Sequence, residues 1–310
     1  MQSYLKVLYD QELKTITEIS IPLDNVMDMM KSIARLFLIL IVVGCAQQAL
    51  AQKVVSKVVL DAGHGGKDPG AIGSFSKEKD IALGITLKVR DILNREMPQL
   101  KTILTRDADF FVELKGRHEI ANKANADLFI SIHVNSTAGT RSRVQSGTRR
   151  VKQGRKYVTV PVYKTIVNRA TSVSGTETYV LGLSRNSQKE KAIGEYSETV
   201  SDEPGLMDEN DPTTAIIIAQ YSQAFLGRSV TLGSKVQQNF GKLGRGNFGV
   251  KQKSLEVLAG SAMPGVLIEV GFINNAEEEA YLNSPAGQDA LARAIATAII
   301  DYKLELERKK

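Results

Sequence analysis

The sequence predicts a single α/β domain built on a twisted, mostly parallel or mixed sheet of about six strands flanked by helices. Three observations carry this. Short apolar runs rich in Val, Ile and Leu recur at Lys57–Asp61, Asp127–Val134 and Val266–Val270, as strands buried on both faces do. Amphipathic segments separate them, with the helical spacing of Ile81, Leu83, Ile85, Val89 and Ile92 the clearest. Glycine-rich turns punctuate the strand ends, above all Ala62-Gly63-His64-Gly65-Gly66.

Taken in order, residues 1–29 hold five acidic and two basic residues without periodicity. They read as an extension upstream of the true start, at Met29 or Met30. Residues 30–51 follow the layout of a secretory signal: Lys31 and Arg35, then the apolar run Leu36–Gly44, then Ala49-Leu50-Ala51 as a cleavage site. The run is too short to span a membrane, which takes roughly 20 apolar residues. Val42-Val43-Gly44-Cys45 offers a second reading, a lipobox in which Cys45 is lipidated. Either way the protein is expected to be exported, to the periplasm or cell envelope, and residues 52–310 form the folded domain.

Within that domain Lys57–Asp61 is the first strand and Ile81–Leu93 a helix. Thr102–Thr105 is a short strand, His118–Ala126 a helix and Asp127–Val134 a strand. Thr176–Leu181 is a further strand, and Ala215–Phe240 a long helix with possible breaks at Gly227 or Gly233. Val266–Val270 is the last buried strand. Glu277–Leu306 is helical with an interruption at Ser284-Pro285. Two stretches break the rhythm. Residues 137–174 carry nine Lys or Arg and no acid, and read as an exposed, poorly ordered basic insertion. Residues 184–211 carry eight acidic and three basic residues, and read as a charged helix and loop.

The composition narrows the chemistry. Cys45 is the sole cysteine, so an internal disulfide framework and a cysteine zinc site are excluded. A net charge of +6 fits an anionic partner, but no RNA-binding or zinc-finger pattern accompanies it, and export argues against nucleic acid. Histidine chemistry must draw on His64, His118 and His133. His64 and His133 end predicted strands, where open α/β sheets place ligands. Glu269 interrupts an otherwise apolar strand, and a buried carboxylate requires a partner, a proton or a metal. Glu78 stands just before the helix predicted from Ile81, where capping is the commoner role for a lone glutamate. Two imidazoles with one carboxylate suit a catalytic zinc, and a further carboxylate then serves as base. Spacing alone does not say which Glu takes which role.

These blocks resemble the zinc-dependent N-acetylmuramoyl-L-alanine amidases of the AmiA/AmiB/AmiC type. The resemblance rests on Leu60-Asp61-Ala62-Gly63-His64-Gly65-Gly66, Glu78-Lys79-Asp80-Ile81-Ala82-Leu83, Thr105-Arg106-Asp107, Arg117 with Ala121-Asn122, Ala126–Asn135 and Met263–Ile273, in the family's order. It implies one Zn2+ held by His64, Glu78 and His133, with Glu269 as the catalytic glutamate. It also implies hydrolysis of the amide between N-acetylmuramic acid and L-alanine of peptidoglycan stem peptides, in wall turnover or daughter-cell separation. His118 matches no ligand of the family and reads as an ordinary helix residue. Asp61 could orient a ligand histidine, and Asn135 could meet substrate or the turn backbone; turn capping explains both equally well.

Some members of the family cover the zinc cleft with a helix that a LytM-domain activator removes. Residues 184–211 would supply such a lid, with Glu190, Glu195 and Glu198 plugging the metal. The protein is expected to act as a monomer. The competing readings are a catalytically inactive wall-binding relative and another zinc peptidase on the same scaffold.

Overall fold

The computed structural model describes residues 55–200 and 212–308, together with Met27, Met30 and Lys31. The proposed signal and Cys45 therefore lie outside the described residues, apart from Met30 and Lys31. The chain divides into two units, Met1–Gln52 and Lys53–Lys310, and all the elements below belong to the second.

Six strands form one sheet: β1 (Lys57–Ala62), β2 (Lys101–Leu104), β3 (Leu128–Asn135), β6 (Thr176–Leu181), β7 (Asn247–Lys253) and β8 (Gly265–Phe272). Their spatial order is β2-β1-β3-β8-β6-β7. The pairs β1–β2, β1–β3 and β3–β8 are parallel. β6 runs antiparallel to β8 and carries β7 parallel beside it, so the sheet is mixed at one edge.

Side-chain alternation sorts the sheet into two faces. Val58, Leu60, Ile130, Ile132, Val266, Ile268 and Val270 enter the larger core. Helices α1 (Glu78–Glu96), α4 (Pro212–Lys242) and α7 (Pro285–Arg308) contribute Ile81, Ile85, Val236, Phe240, Ile295 and Ile299 to the same core. Val59, Phe129 and Leu267 face the smaller core, with Ala121 of α2 (Leu114–Lys123) and Leu258 of α5 (Glu256–Ala259). His133 and Glu269 share the parity of Phe129 and Leu267, so both belong to this second face.

The predicted interruption at Ser284-Pro285 is present: α6 (Ala276–Asn283) ends there, and Pro285 opens α7, where its missing N–H costs no helical bond. The long helix, by contrast, is unbroken. Gly233 sits where an added Cβ would lie 3.2 Å from Thr178 and 3.3 Å from Val250, so it serves close helix–sheet packing. Strand β7 is an element beyond those predicted; its Gly249 and three lysine or glutamine residues obscure a strand pattern. The expectation of disorder in the basic insertion is also overturned. It forms a hairpin of β4 (Thr140–Gln153) and β5 (Lys156–Asn168), because Val158, Val160 and Val162 recur at period two in a stretch rich in Val, Thr and Tyr, and the strands pair from Thr140↔Asn168 to Gln153↔Lys156 around one register shift.

Candidate metal centre

β1 delivers His64 through a strained turn. His64 has φ of 59°, uncommon for a side chain with a Cβ. Two buried arginines hold that turn. Arg106 donates to the carbonyls of Ala62 (2.9 Å), Gly63 (2.7 Å) and Lys79 (2.7 Å). Arg117 donates to those of Ala62 and His64, each at 2.6 Å. Gly65 and Asp68 then exchange backbone hydrogen bonds, which folds Asp68 back beside the ring. Its Oδ2 lies 2.7 Å from His64 Nδ1 and leaves Nε2 facing the cleft.

Glu78, the first residue of α1, is 4% exposed. Its carboxylate does not cap its own helix. It accepts from the backbone N–H of Ala71 (2.7 Å) and of Val134 (3.0 Å). His64 Nε2 stands 3.2 Å and His133 Nδ1 2.8 Å from the same oxygen, Oε1. Gly70 makes room: a Cβ there would approach Glu78 Oε2 and His64 to 2.6 Å. Burial would raise the Glu78 carboxyl, but hydrogen bonds from His133 and His64 outweigh it and hold the group well below the carboxylate range. Burial would lower His64, yet Glu78 and Asp68 together lift it to about 9.

One atom each from His64, Glu78 and His133 lies within 4.8 Å of the others. Ligands of a tetrahedral zinc at roughly 2.0–2.1 Å stand about 3.3 Å apart. The 3.2 Å separation of His64 from Glu78 matches that, the 2.8 Å of His133 from Glu78 needs to open by about 0.5 Å, and the donor types are those zinc prefers, so the residues fit one zinc ion.

Glu269 pairs in register with His133 across β3–β8. Its Oε2 is buried and has no hydrogen-bond partner among the described residues. Burial, with the nearby Glu78 and Glu177 charges, pushes its carboxyl up to about 7 against the opposing pull of His133 and Lys253.

The other expected residues stand elsewhere. Asp61 makes no hydrogen bond to either imidazole among the described residues. Its carboxylate accepts from Thr105, Arg117 and Ser131 at 2.6–2.8 Å, so it braces the turn through Arg117 rather than orienting a histidine. Asp68 is the residue that orients His64. Asn135 does cap its turn, accepting from Ser136 N at 2.8 Å, and its amide also donates to Glu177. His118 packs on α2 against Gly260, away from the cluster.

The lid expectation fails for its described part. α3 (Asn186–Val200) is pinned by Lys189, whose ammonium donates to the Met263 carbonyl (2.7 Å), Ser261 Oγ (3.1 Å) and the Leu258 carbonyl (3.2 Å). Asp127, just before β3, acts on Tyr196 of the same helix. Both anchors are at the amino ends of β3 and β8. His133 and Glu269 lie toward the carboxyl ends, about 13 Å along a strand from Gly265. β6 runs antiparallel to β8, so the chain leaving Leu181 emerges at the far end of the sheet. Glu195 pairs with Lys191 (3.6 Å) and Glu190 is half-buried on that helix. The side chain of Glu198 and residues 201–211 lie outside the described residues.

Five contributors escape the sequence reading. Besides Asp68, Glu177 accepts from Tyr179 (2.7 Å) and Lys251 (2.6 Å), and Lys253 stacks over the Tyr179 ring at 4.6 Å. Alternation in the predicted strand 176–181 puts Glu177 and Tyr179 on one face, a signal that was present. Lys251 and Lys253 come from the unforeseen strand β7.

The N-acetylmuramoyl-L-alanine amidase family Amidase_3 matches residues 58–301. N-acetylmuramoyl-L-alanine amidase AmiA of Escherichia coli K12 is 32% identical over 249 residues, which is 79% of this chain and 75% of that one. N-acetylmuramoyl-L-alanine amidase AmiC of Escherichia coli O6:H1 is 29% identical over 247 residues, about half (52%) of its own length. The solved N-acetylmuramoyl-L-alanine amidase AmiC2 of Nostoc punctiforme superposes with a TM-score of 0.51 at 29% identity, over 79% of this chain and 96% of that one.

Proposed function

The chain belongs to the Amidase_3 family of N-acetylmuramoyl-L-alanine amidases, and from that premise we propose how its own residues carry the reaction. The enzyme hydrolyses the amide between N-acetylmuramic acid and the L-alanine of peptidoglycan stem peptides. His64, Glu78 and His133 hold one zinc ion, which when bound supplies Lewis-acid polarisation of the scissile carbonyl and acidification of a water. Glu269 is the base that takes the proton and then returns it to the leaving alanine nitrogen. A carboxyl poised near 7 suits both halves of that exchange. Asp68 fixes the tautomer of His64, as partners of metal-bound histidines do.

The observation that carries this reading is the convergence of the three ligand-type side chains from β1, α1 and β3, with Glu269 paired beside His133. An inactive relative would be expected to lack one of the four. Residues 52–310 are the working domain, exported to the periplasm or cell envelope and acting as a monomer. A LytM-domain activator is implied by the family resemblance alone.

The test is digestion of purified sacculi by residues 52–310, with and without chelator. Mass spectrometry should find free stem peptides beginning at L-alanine and glycans with a bare lactyl group. Activity should vanish with chelator and return with zinc. Cuts confined to peptide–peptide bonds would assign the zinc peptidase reading instead.

A further inference from the structure

The β4–β5 hairpin leaves the domain at the ligand-bearing end of the sheet. Its root is tied there by Asn274, just beyond β8. Asn274 Oδ1 accepts from Thr137 N (3.1 Å), and its amide donates to Thr137 Oγ1 (2.8 Å) and the Arg169 carbonyl. Beyond the root the arm stands in solvent: in β4 every residue except Val151 is exposed, and in β5 only Val158, Val160 and Val162 are less than exposed. An isolated two-stranded ribbon is marginal by itself, so strands of 14 and 13 residues are a large investment for a simple connection.

The two faces differ. Pairing runs Gln145↔Tyr163 and then Gly147↔Val162, so Ser146 is a bulge. Before the bulge, Arg141 and Arg143 stand opposite Val167 and Thr165. After it, Arg150 and Lys152 stand opposite Thr159 and Tyr157. Counting alternation along the unbroken β5 places all four cations on one face, with Tyr157 and Tyr163. Without the extra residue, Arg150 and Lys152 would turn to the opposite face. Arg143 covers the Tyr163 ring at 4.6 Å and Arg150 the Tyr157 ring at 5.3 Å, so the cations are spread along the face on aromatic supports. The other face carries Val144, Val151, Val158, Val160, Val162 and Ile166, with Arg149, Lys156 and Lys164 among them, so the faces differ by the tyrosines and the aliphatic cluster more than by charge alone. With no acid anywhere in residues 137–174, the arm does not neutralise itself.

We propose that the cationic, tyrosine-bearing face of the β4–β5 arm is a second binding surface for the substrate polymer, engaging the carboxylates of neighbouring stem peptides while the cleft takes the scissile amide. This rests on the amidase reading. Charge complementarity selects the occupant: uncleaved stem peptides present carboxylates repeatedly along a glycan strand, and the tyrosine rings hold Arg143 and Arg150 out toward them. The arm then acts on attachment to the wall, and the cleft on chemistry.

The experiment uses the full chain with R141Q, R143Q, R150Q and K152Q combined, and pelleting with sacculi under chelator so that nothing is cut. Wild type should bind, more weakly as salt rises. The variant should lose about tenfold in affinity and a similar factor in sacculus turnover, as expected for several screened ion pairs removed together. Turnover of a soluble monomeric muropeptide should change less than about twofold, since one peptide gains nothing from a second surface. Restoring charge with R141K, R143K and R150K should recover most binding, which a folding defect would not allow. Sacculi with methyl-esterified carboxylates should bind wild type as poorly as untreated sacculi bind the variant. The proposal is overturned by unchanged sacculus binding in the variant, by equal losses on polymer and monomer, or by a loss seen only on phosphatidylglycerol vesicles, which would make the arm a membrane contact. Failure of the amidase reading is separately visible, because wild type would then bind sacculi and release no stem peptide.

Discussion

Glu177 of β6 lies directly opposite Glu269 of β8 across the one antiparallel pair in the site. Like charges in that position repel. The structure resolves the conflict asymmetrically. Glu177 is held below its ordinary range: burial would raise it, but Lys251 and Tyr179 donate to it and prevail. Glu269 receives no such donor at Oε2 and is the carboxyl that moves up, to about 7. Two neighbouring carboxyls are thus driven apart, one kept as a fixed anion and one able to exchange a proton near neutrality.

Glu269→Gln should therefore lower kcat by about 10²–10⁴-fold, the range for loss of a general acid–base group. Zinc content, measured by atomic absorption, should stay unchanged, because Glu269 is not in the ligand cluster. The thermal midpoint of the metal-free variant should rise relative to wild type above pH 7. The sign follows from a folded-state carboxyl near 7 against an unfolded value of 4.5: its stabilising proton is present below pH 4.5 and lost as pH rises through 7.

Glu177→Gln should shift the acid limb of kcat/KM to lower pH. Base catalysis needs ionised Glu269, so the rate falls as pH drops through its pKa, and removing the facing anion makes ionisation easier. Comparison of zinc-loaded wild type and variant over pH 5–9 checks this; an acid limb moving upward would contradict the assigned coupling.

Zinc binding should release protons. Without metal, His64 is held charged to about pH 9 by Glu78 and Asp68, and a ligand imidazole must be neutral. Calorimetry at pH 8 in buffers of different ionisation enthalpy should detect this release. Metal-free stability contributed by His64 is fully present below pH 6.5 and lost as pH rises through 9. Asp68→Asn should weaken zinc affinity by about 10–100-fold while the fold is retained.

Gly70→Ala should disable the centre with every ligand intact. Its φ of 65° disfavours a side chain, and the new Cβ would meet both Glu78 Oε2 and His64 at 2.6 Å. Loss of zinc and of amidase activity, with the far-UV spectrum unchanged, is the expected result.

Lys189→Ala should destabilise rather than activate. The Met263 carbonyl and Ser261 Oγ would lose a buried donor, while the Leu258 carbonyl keeps Ser261 Oγ at 2.9 Å, a cost of about 1–3 kcal/mol by the usual penalty for unsatisfied groups. Basal hydrolysis should not rise, because α3 sits at the end of the sheet away from Glu269. A variant with raised turnover would restore the lid.

Much of this protein is decided locally and so is readable from residue order. Strand and helix periodicities identify β1, β3, β8, α1 and the broken helix at Pro285, since burial of one face dictates the spacing of apolar residues. Glu269 betrays itself because a carboxylate inside Val-Leu-Ile-Glu-Val has no cheap burial without chemistry. Distance along the chain says nothing about which side chains meet, however. Only the parallel pairing of β3 with β8 puts Glu269 beside His133, and only the turn 65–68 shows that Asp68, not Asp61, grips His64. The described part of the expected lid misses the cleft for the same reason: the direction of β6 is a property of strand pairing, and it sends the start of the following helix away from Glu269. Pairing and direction depend on contacts across tens or hundreds of residues, so they belong to the folded chain alone.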